Sequence, residues 1–194
     1  MVAERHPTAM SIEEYLTLDR NSLEARYEFI DGHAYLLAGG TANHSIIGVN
    51  IISTIHSLLG DSPCCVFNSD LRVRLSETRY VYPDATVSCD KRDRGQIDTI
   101  QYPQLTVEEL SPSTEAYDRG RKFGYYRACP TMQEYVLVDT QRQAIEVYRR
   151  EAGTLWTLHP FGPGDEVELA SLGVHFPVAE AYQDVVFPDE ETSE

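Results

Sequence analysis

Asp84, Glu108 and Lys122 are the residues whose types and settings could do chemistry together in this chain. Asp84 closes a Tyr82-Pro83-Asp84 triplet and opens the strand-like run that ends at Cys89. Glu108 stands in the middle of a second apolar run, Leu105 to Leu110, which stops at Ser111-Pro112. A carboxylate inside a sheet is costly unless a cation, metal or proton compensates it. If the two runs are antiparallel neighbours, the start of one meets the end of the other and the two acids face each other. Such a pair repels unless positive charge lies between. Magnesium, or manganese in its place, suits two strand-borne carboxylates completed by water and substrate phosphate. Glu109 then turns its side chain to the opposite face and offers its backbone carbonyl as a further ligand. Lys122 can reach back over the metal to position a water, lower its pKa, or stabilise charge on a phosphate. Asp118, one helical turn earlier, is expected to hold it by an i, i+4 pair. This set suits phosphodiester hydrolysis better than acyl transfer, because Ser111 and Ser113 lack a G-x-S-x-G frame. The plain alternative is a surface lysine and two ordinary strand-start acids.

The elements that must position these groups can be read in order. Ser11-Ile12-Glu13-Glu14 carries a helix-start signature, and that helix should end near Asp19 to Asn21. Arg26 to Leu37 alternates around Asp31-Gly32 as a hairpin, with Glu28 opposite Tyr27 and Phe29. A helix is predicted from Asn43 to Leu59, so apolar that burial on more than one side is expected, with Gly60 as its stop. Cys65 to Leu75 reads as one interrupted strand and Tyr80 to Cys89 as another, with an irregularity at Pro83. Asp90 to Tyr102 is polar and reads as an exposed loop. Tyr117 to Ala128 has helical spacing up to Pro130. Tyr135 to Asp139 and Ala144 to Arg149 form a further hairpin, strands follow within 155–161 and 167–169, and a short helix runs near 178–185. Residues 11–187 are expected to form a single domain, with flexible tails at 1–10 and 188–194. Strands 144–149 or 155–161 could pair two copies into a homodimer.

Composition narrows the function classes. Sixteen basic against 31 acidic residues give a net charge of −15, which argues against tight nonspecific nucleic-acid binding. Cys64, Cys65, Cys89 and Cys129 show no metal-binding spacing, so reduced thiols in a cytoplasmic protein are expected. No apolar run is long enough to span a membrane.

Four ordered blocks carry a resemblance: Tyr-Pro-Asp at 82–84, VEELSPST at 107–114, YDRGRKFGYYRA at 117–128 and EYVLVD at 134–139. Together with RYEFIDG at 26–32 and His44, they resemble the Uma-two family of restriction-endonuclease-like proteins, a branch of the PD-(D/E)xK nuclease superfamily. The resemblance implies an α/β (α+β) fold, a mixed β-sheet flanked by helices, here with additional N- and C-terminal hairpins. It also implies Asp84 and Glu108 as metal ligands, with the lysine usually two residues after the glutamate replaced by Leu110 and its role moved to Lys122. Glu28 resembles the family's early glutamate and is a candidate additional ligand; His44, near a helix start, could approach the same site. One residue departs from the pattern. The position after the glutamate is usually apolar, and here it is Glu109, which on a covered face needs a partner such as Arg72 or Arg74.

The leading expectation is therefore a Mg²⁺- or Mn²⁺-dependent endonuclease acting on DNA. Its rival is a catalytically silent nuclease-fold protein that serves as a binding or interaction module, which the acidic charge favours. A third reading takes RNA or a nucleotide as the phosphodiester.

Overall fold

The computed structural model describes residues 8–37, 39–95 and 98–187. Residues 1–7 of the expected tail 1–10, and the whole of the expected tail 188–194, lie outside those residues, whereas Thr8–Ala9, also expected in the flexible tail, is a short paired strand, β1. Helix α1 (Ile12–Asn21) opens on a reciprocal cap: the Ser11 hydroxyl accepts from the Glu14 amide, and the Glu14 carboxylate accepts from the Ser11 amide at 2.7 Å. Strands β2 (Tyr27–Ile30) and β3 (His33–Leu36) form the anticipated hairpin. Its turn places Asp31 at φ 47° and Gly32 at φ 90°, the paired positive angles that an Asp-Gly dipeptide tolerates best.

Helix α2 (Ala42–Leu59) starts where Thr41 Oγ1 accepts from the His44 amide, and Gly60 follows it at φ 49°. It buries one stripe, Ile47, Ile51, Ile55 and Leu59, spaced by four residues. Val49 and Leu58 stay exposed, so the expectation of burial on several sides does not hold.

Beyond α2 the chain alternates between two six-stranded sheets. Strands β4 (Cys65–Asn68) and β5 (Arg72–Ser76) lie in different sheets, as do β6 (Arg79–Val81) and β7 (Ala85–Ser88). Each pair had read as one strand. The reason is local: at the first junction the Asn68 side chain accepts from the Asp70 amide, and at the second Pro83 has no amide hydrogen to continue a ladder. Asp84 therefore sits at the point where the chain changes sheet.

The segment expected as an exposed loop contains a short 3-10 turn at Lys91–Asp93 and strand β8 (Thr99–Ile100), parallel to β5. Asp93 is buried there, accepting from Ser88 Oγ at 2.6 Å and from the amides of Gln101 and Tyr102 at 2.9 Å each. Strand β9 (Leu105–Leu110) follows. A helical stretch then begins with α3 (Glu115–Tyr117), loosens into a π-turn at Asp118–Lys122 and closes as α4 (Phe123–Ala128). Strands β10 (Glu134–Asp139), β11 (Ile145–Arg150) and β12 (Trp156–Phe161) complete the second sheet. A separate hairpin of β13 (Glu166–Leu169) and β14 (Val174–Pro177) leads into α5 (Val178–Ala181).

The first sheet runs β1-β3-β2-β6-β5-β8 and the second β12-β11-β10-β9-β7-β4. Strand β9 is parallel to β10 and antiparallel to β7, so the sheet is mixed, as expected. All six residues of β9 are buried, because α2 covers one face and α4 the other. Leu105 and Val107 pack with Ile47, Ile51 and Ile55 of α2, while Leu110 packs with Tyr126 of α4. Glu108 and Glu109 must consequently enter opposite cores. Strand β11 is interior to its sheet, which leaves β12 as the edge available for pairing.

Cys64 and Cys89 form a disulfide between the start of β4 and the chain just beyond β7, correcting the expectation of reduced thiols; Cys65 and Cys129 are free. Among the described residues, no helix is long and apolar enough to cross a membrane.

Candidate active site

On the α4 face of β9, Glu108 meets Lys122 and Tyr126. Lys122 Nζ lies 2.8 Å from Glu108 Oε1 and 3.1 Å from Glu28 Oε1, and the Tyr126 hydroxyl donates to the same Glu108 oxygen at 2.6 Å. Glu28 comes from β2 in the first sheet and Glu108 from β9 in the second, so the amine joins the two sheets. Glu28 also accepts from the Tyr82 amide at 3.3 Å, which ties it to the segment leading to Asp84.

The register Ala85↔Val107 puts Asp84, one residue earlier, level with Glu108 at the end of the antiparallel pair. The two strands are neighbours as expected. Asp84 Oδ2 accepts from the Glu109 amide at 2.7 Å, which fixes the carboxylate across the strand gap. Its side chain keeps a fifth of its surface exposed, whereas those of Glu28, Glu108 and Lys122 are nearly closed off.

The charges around Lys122 do not balance. Burial pushes the Glu108 pKa well above its ordinary value; Lys122 pulls it back, while Asp118, Asp84 and Glu28 add to the rise. Burial also works against charge on Lys122, but Glu108, Glu28 and Asp118 outweigh it and hold the amine well above its usual pKa. One amine cannot neutralise Glu108, Glu28 and Asp118 together, so protons or a cation must supply the remainder.

Asp118 does not take the expected place. The ion-pair partners of Lys122 are Glu108 and Glu28, and Asp118 is a buried neighbour acting through its field. The stretch Asp118–Lys122 is a π-turn rather than the α-helix on which the pair was expected, and the amine is taken up by Glu108 and Glu28. Asp118 instead supplies its backbone carbonyl to the Tyr135 hydroxyl at 3.2 Å.

Across β9, the Glu109 side chain faces α2 and His44. Its carboxylate is buried against α2, with Oε2 3.3 Å from His44 Nδ1 but not in hydrogen-bonding geometry, so that oxygen has no hydrogen-bond partner. Burial, then Asp84 and Glu108, push its pKa up to about 10. The expected arginine partners are engaged elsewhere, Arg72 with Asp19 and Arg74 with Glu77. His44 does approach the site: its Nε2 lies 3.4 Å from Asp84 Oδ1. His44, Asp84 and Glu109 thus offer one donor atom each, all within 4.8 Å of one another.

Tyr126, whose hydroxyl holds Glu108, was not among the expected site residues. The available signal was a tyrosine, not a phenylalanine, four residues after Lys122 in a buried helix, since a buried phenol needs a partner.

The sequence matches the family described as "Uma2: Putative restriction endonuclease" over residues 12–179. It is similar to two uncharacterized proteins of Synechocystis sp. One, slr1290, is 39% identical over 179 residues, covering 92% of this chain and 94% of that protein. The other, sll1609, is 31% identical over 170 residues, covering 85% and 95%. The backbone is similar to the crystal structure of "a putative nuclease belonging to DUF820" from Anabaena variabilis. The TM-score is 0.75 at 20% identity, over 91% of this chain and 99% of that one. That likeness establishes a shared, restriction-endonuclease-like fold.

Proposed function

The chain belongs to the Uma2 family, and from that premise we propose a divalent-metal-dependent endonuclease that hydrolyses DNA phosphodiester bonds. The observation that carries this reading is the buried cluster in which Lys122 Nζ sits 2.8 Å from Glu108 and 3.1 Å from Glu28, beside Asp84. Asp84 and Glu108 are the proposed metal ligands, with Glu28 in support. The donor set fits a hard cation: Tyr126 and Lys122 both approach Oε1 of Glu108, which leaves Oε2, and Asp84 is the open side of the cluster. Bound there, Mg²⁺ or Mn²⁺ would lower the pKa of a coordinated water and offset phosphate charge.

The chain's own groups have definable parts. Lys122 supplies a fixed positive charge toward a phosphate or its attacking water, and Glu28 keeps the amine from swinging away. Tyr126 holds the Glu108 carboxylate in one rotamer. The Glu109 amide does the same for Asp84. Supercoiled plasmid with Mg²⁺ or Mn²⁺ should be nicked by the wild-type chain and left intact by Asp84→Asn and by Glu108→Gln. Nicking that survives both substitutions removes the site assignment.

The closure of Lys122 by two carboxylates favours one second reading, a silent binding module. Titration of Mg²⁺ separates the two. Saturable binding lost in Glu108→Gln supports the enzyme, and no binding supports the module. RNA and single-stranded substrates in the same assay test the choice of DNA. A homodimer through the β12 edge belongs to this proposal, and light scattering on a sizing column tests it. Cytoplasmic residence does too. The Cys64–Cys89 disulfide weighs against it in a reducing compartment, and cell fractionation decides.

A further inference from the structure

Glu109 is an anomaly on its own terms. A carboxylate with 1% of its side chain exposed should be paired, protonated or ligating. Its Oε2 makes no hydrogen bond, although His44 Nδ1 lies 3.3 Å away. Two glycines make room for the arrangement. A Cβ at Gly48 would stand 2.8 Å from Glu109 Oε1, and one at Gly40 would stand 2.8 Å from His44 Nδ1. The α2 backbone and the loop before it therefore come close to these two side chains, and larger residues there would displace them.

We propose that His44, Asp84 and Glu109 form a binding site for a divalent transition-metal ion. It lies on the α2 face of β9, opposite Lys122, and shares Asp84 with the active-site proposal. Ligands of one four-coordinate ion at about 2.1 Å stand about 3.4 Å apart. The His44–Asp84 and His44–Glu109 separations, 3.4 and 3.3 Å, already have that size, though they use different ring nitrogens. With one donor atom from each residue, all three lie within 4.8 Å of one another, so a small rotation of imidazole or carboxylate closes the set. Asp84 is pre-aimed, since the Glu109 amide holds Oδ2 and leaves Oδ1 toward His44.

The chemistry of the donors selects the ion. One imidazole with two carboxylates suits Zn²⁺, Co²⁺ or Mn²⁺, whereas Mg²⁺ prefers oxygen alone. Three protein donors leave positions for water, the pattern of an open site rather than a closed structural one.

This inference stands apart from nuclease activity except through Asp84, and its test keeps the two separable. Metal-stripped, full-length chain is titrated with Co²⁺ and with Mg²⁺ by calorimetry. The expected result is a Co²⁺ site that His44→Asn and Glu109→Gln each weaken by at least tenfold and that Glu108→Gln leaves within about twofold. Wild-type Co²⁺ affinity in both His44→Asn and Glu109→Gln overturns the proposal, and so does loss of that site in Glu108→Gln. Crystals of the wild-type chain soaked in Zn²⁺ provide a measurement free of folding artefacts. An anomalous peak among His44, Asp84 and Glu109 supports the site, and a peak confined to Asp84 and Glu108 overturns it. Metal bound at His44 without plasmid nicking would sink the nuclease reading alone. Nicking that depends on Lys122, with no His44-dependent metal, would sink the present inference alone.

Discussion

Lys122 carries its charge in a setting where charge is expensive, and its removal should show that directly. Lys122→Met leaves Glu108 and Glu28 buried without their cation, a loss of about 3–5 kcal/mol at neutral pH. The orphaned acids can escape by binding protons. A folded carboxyl with a raised pKa holds more protons than the unfolded chain, so stability falls as pH rises. Urea melts of the variant should therefore show a larger deficit relative to wild type at pH 8 than at pH 5; a deficit independent of pH would contradict it. Glu109 is the complementary case. Glu109→Val removes a buried carboxylate whose Oε2 lacks a hydrogen-bond partner, and it should raise the melting temperature in EDTA by the equivalent of about 1–2 kcal/mol. The same change should abolish any melting-temperature gain from Zn²⁺.

At the scale of elements, the contact of α2 with β9 is set by Gly48. Glycine inside a helix costs about 1 kcal/mol relative to alanine, so Gly48→Ala would ordinarily stabilise. Here its Cβ would meet Glu109 Oε1 at 2.8 Å, so the substitution should destabilise the wild type and become neutral or favourable beside Glu109→Val. A double-mutant cycle measures that coupling, and additivity would refute the close approach. The β2–β3 turn offers a test in acid. Hydrogen bonds from Arg79, then from Thr78, hold the Asp31 carboxyl below the ordinary aspartate range. That contribution is complete above the unfolded pKa and disappears as pH falls through the folded one. Arg79→Ala should flatten the loss of stability below pH 3.8, by a small amount because the pair is largely exposed.

The molecule as a whole is tied together by β9 and β10, whose two faces supply both of the larger cores. We propose on that ground that residues 11–187 unfold as one domain. A single calorimetric transition is expected. The Cys64–Cys89 bridge closes a loop with a sequence separation of 25, which stabilises by about 3 kcal/mol through the unfolded chain. Reductant should lower the transition temperature without splitting the transition, whereas two separated transitions would overturn the single-domain proposal.

What the linear chain determined is what depends on short periods and local chemistry. The Ser11 cap, the Asp31-Gly32 hairpin and the extent of α2 all follow from patterns of a few residues, whereas the antiparallel pairing of β7 with β9 was only a condition of the expected site. Tertiary structure decided the rest, because it depends on which surfaces meet. Cys65 to Leu75 and Tyr80 to Cys89 each split between two sheets, a choice made by partners distant in sequence. The pairing of Lys122 with Glu28 and Glu108, from two different sheets, leaves no periodic trace. Glu109 looked like a residue in need of an arginine, and the packing of α2 gave it His44 instead. Alternation told which side of β9 each acid would face, but only the covering helices settled what each would find there.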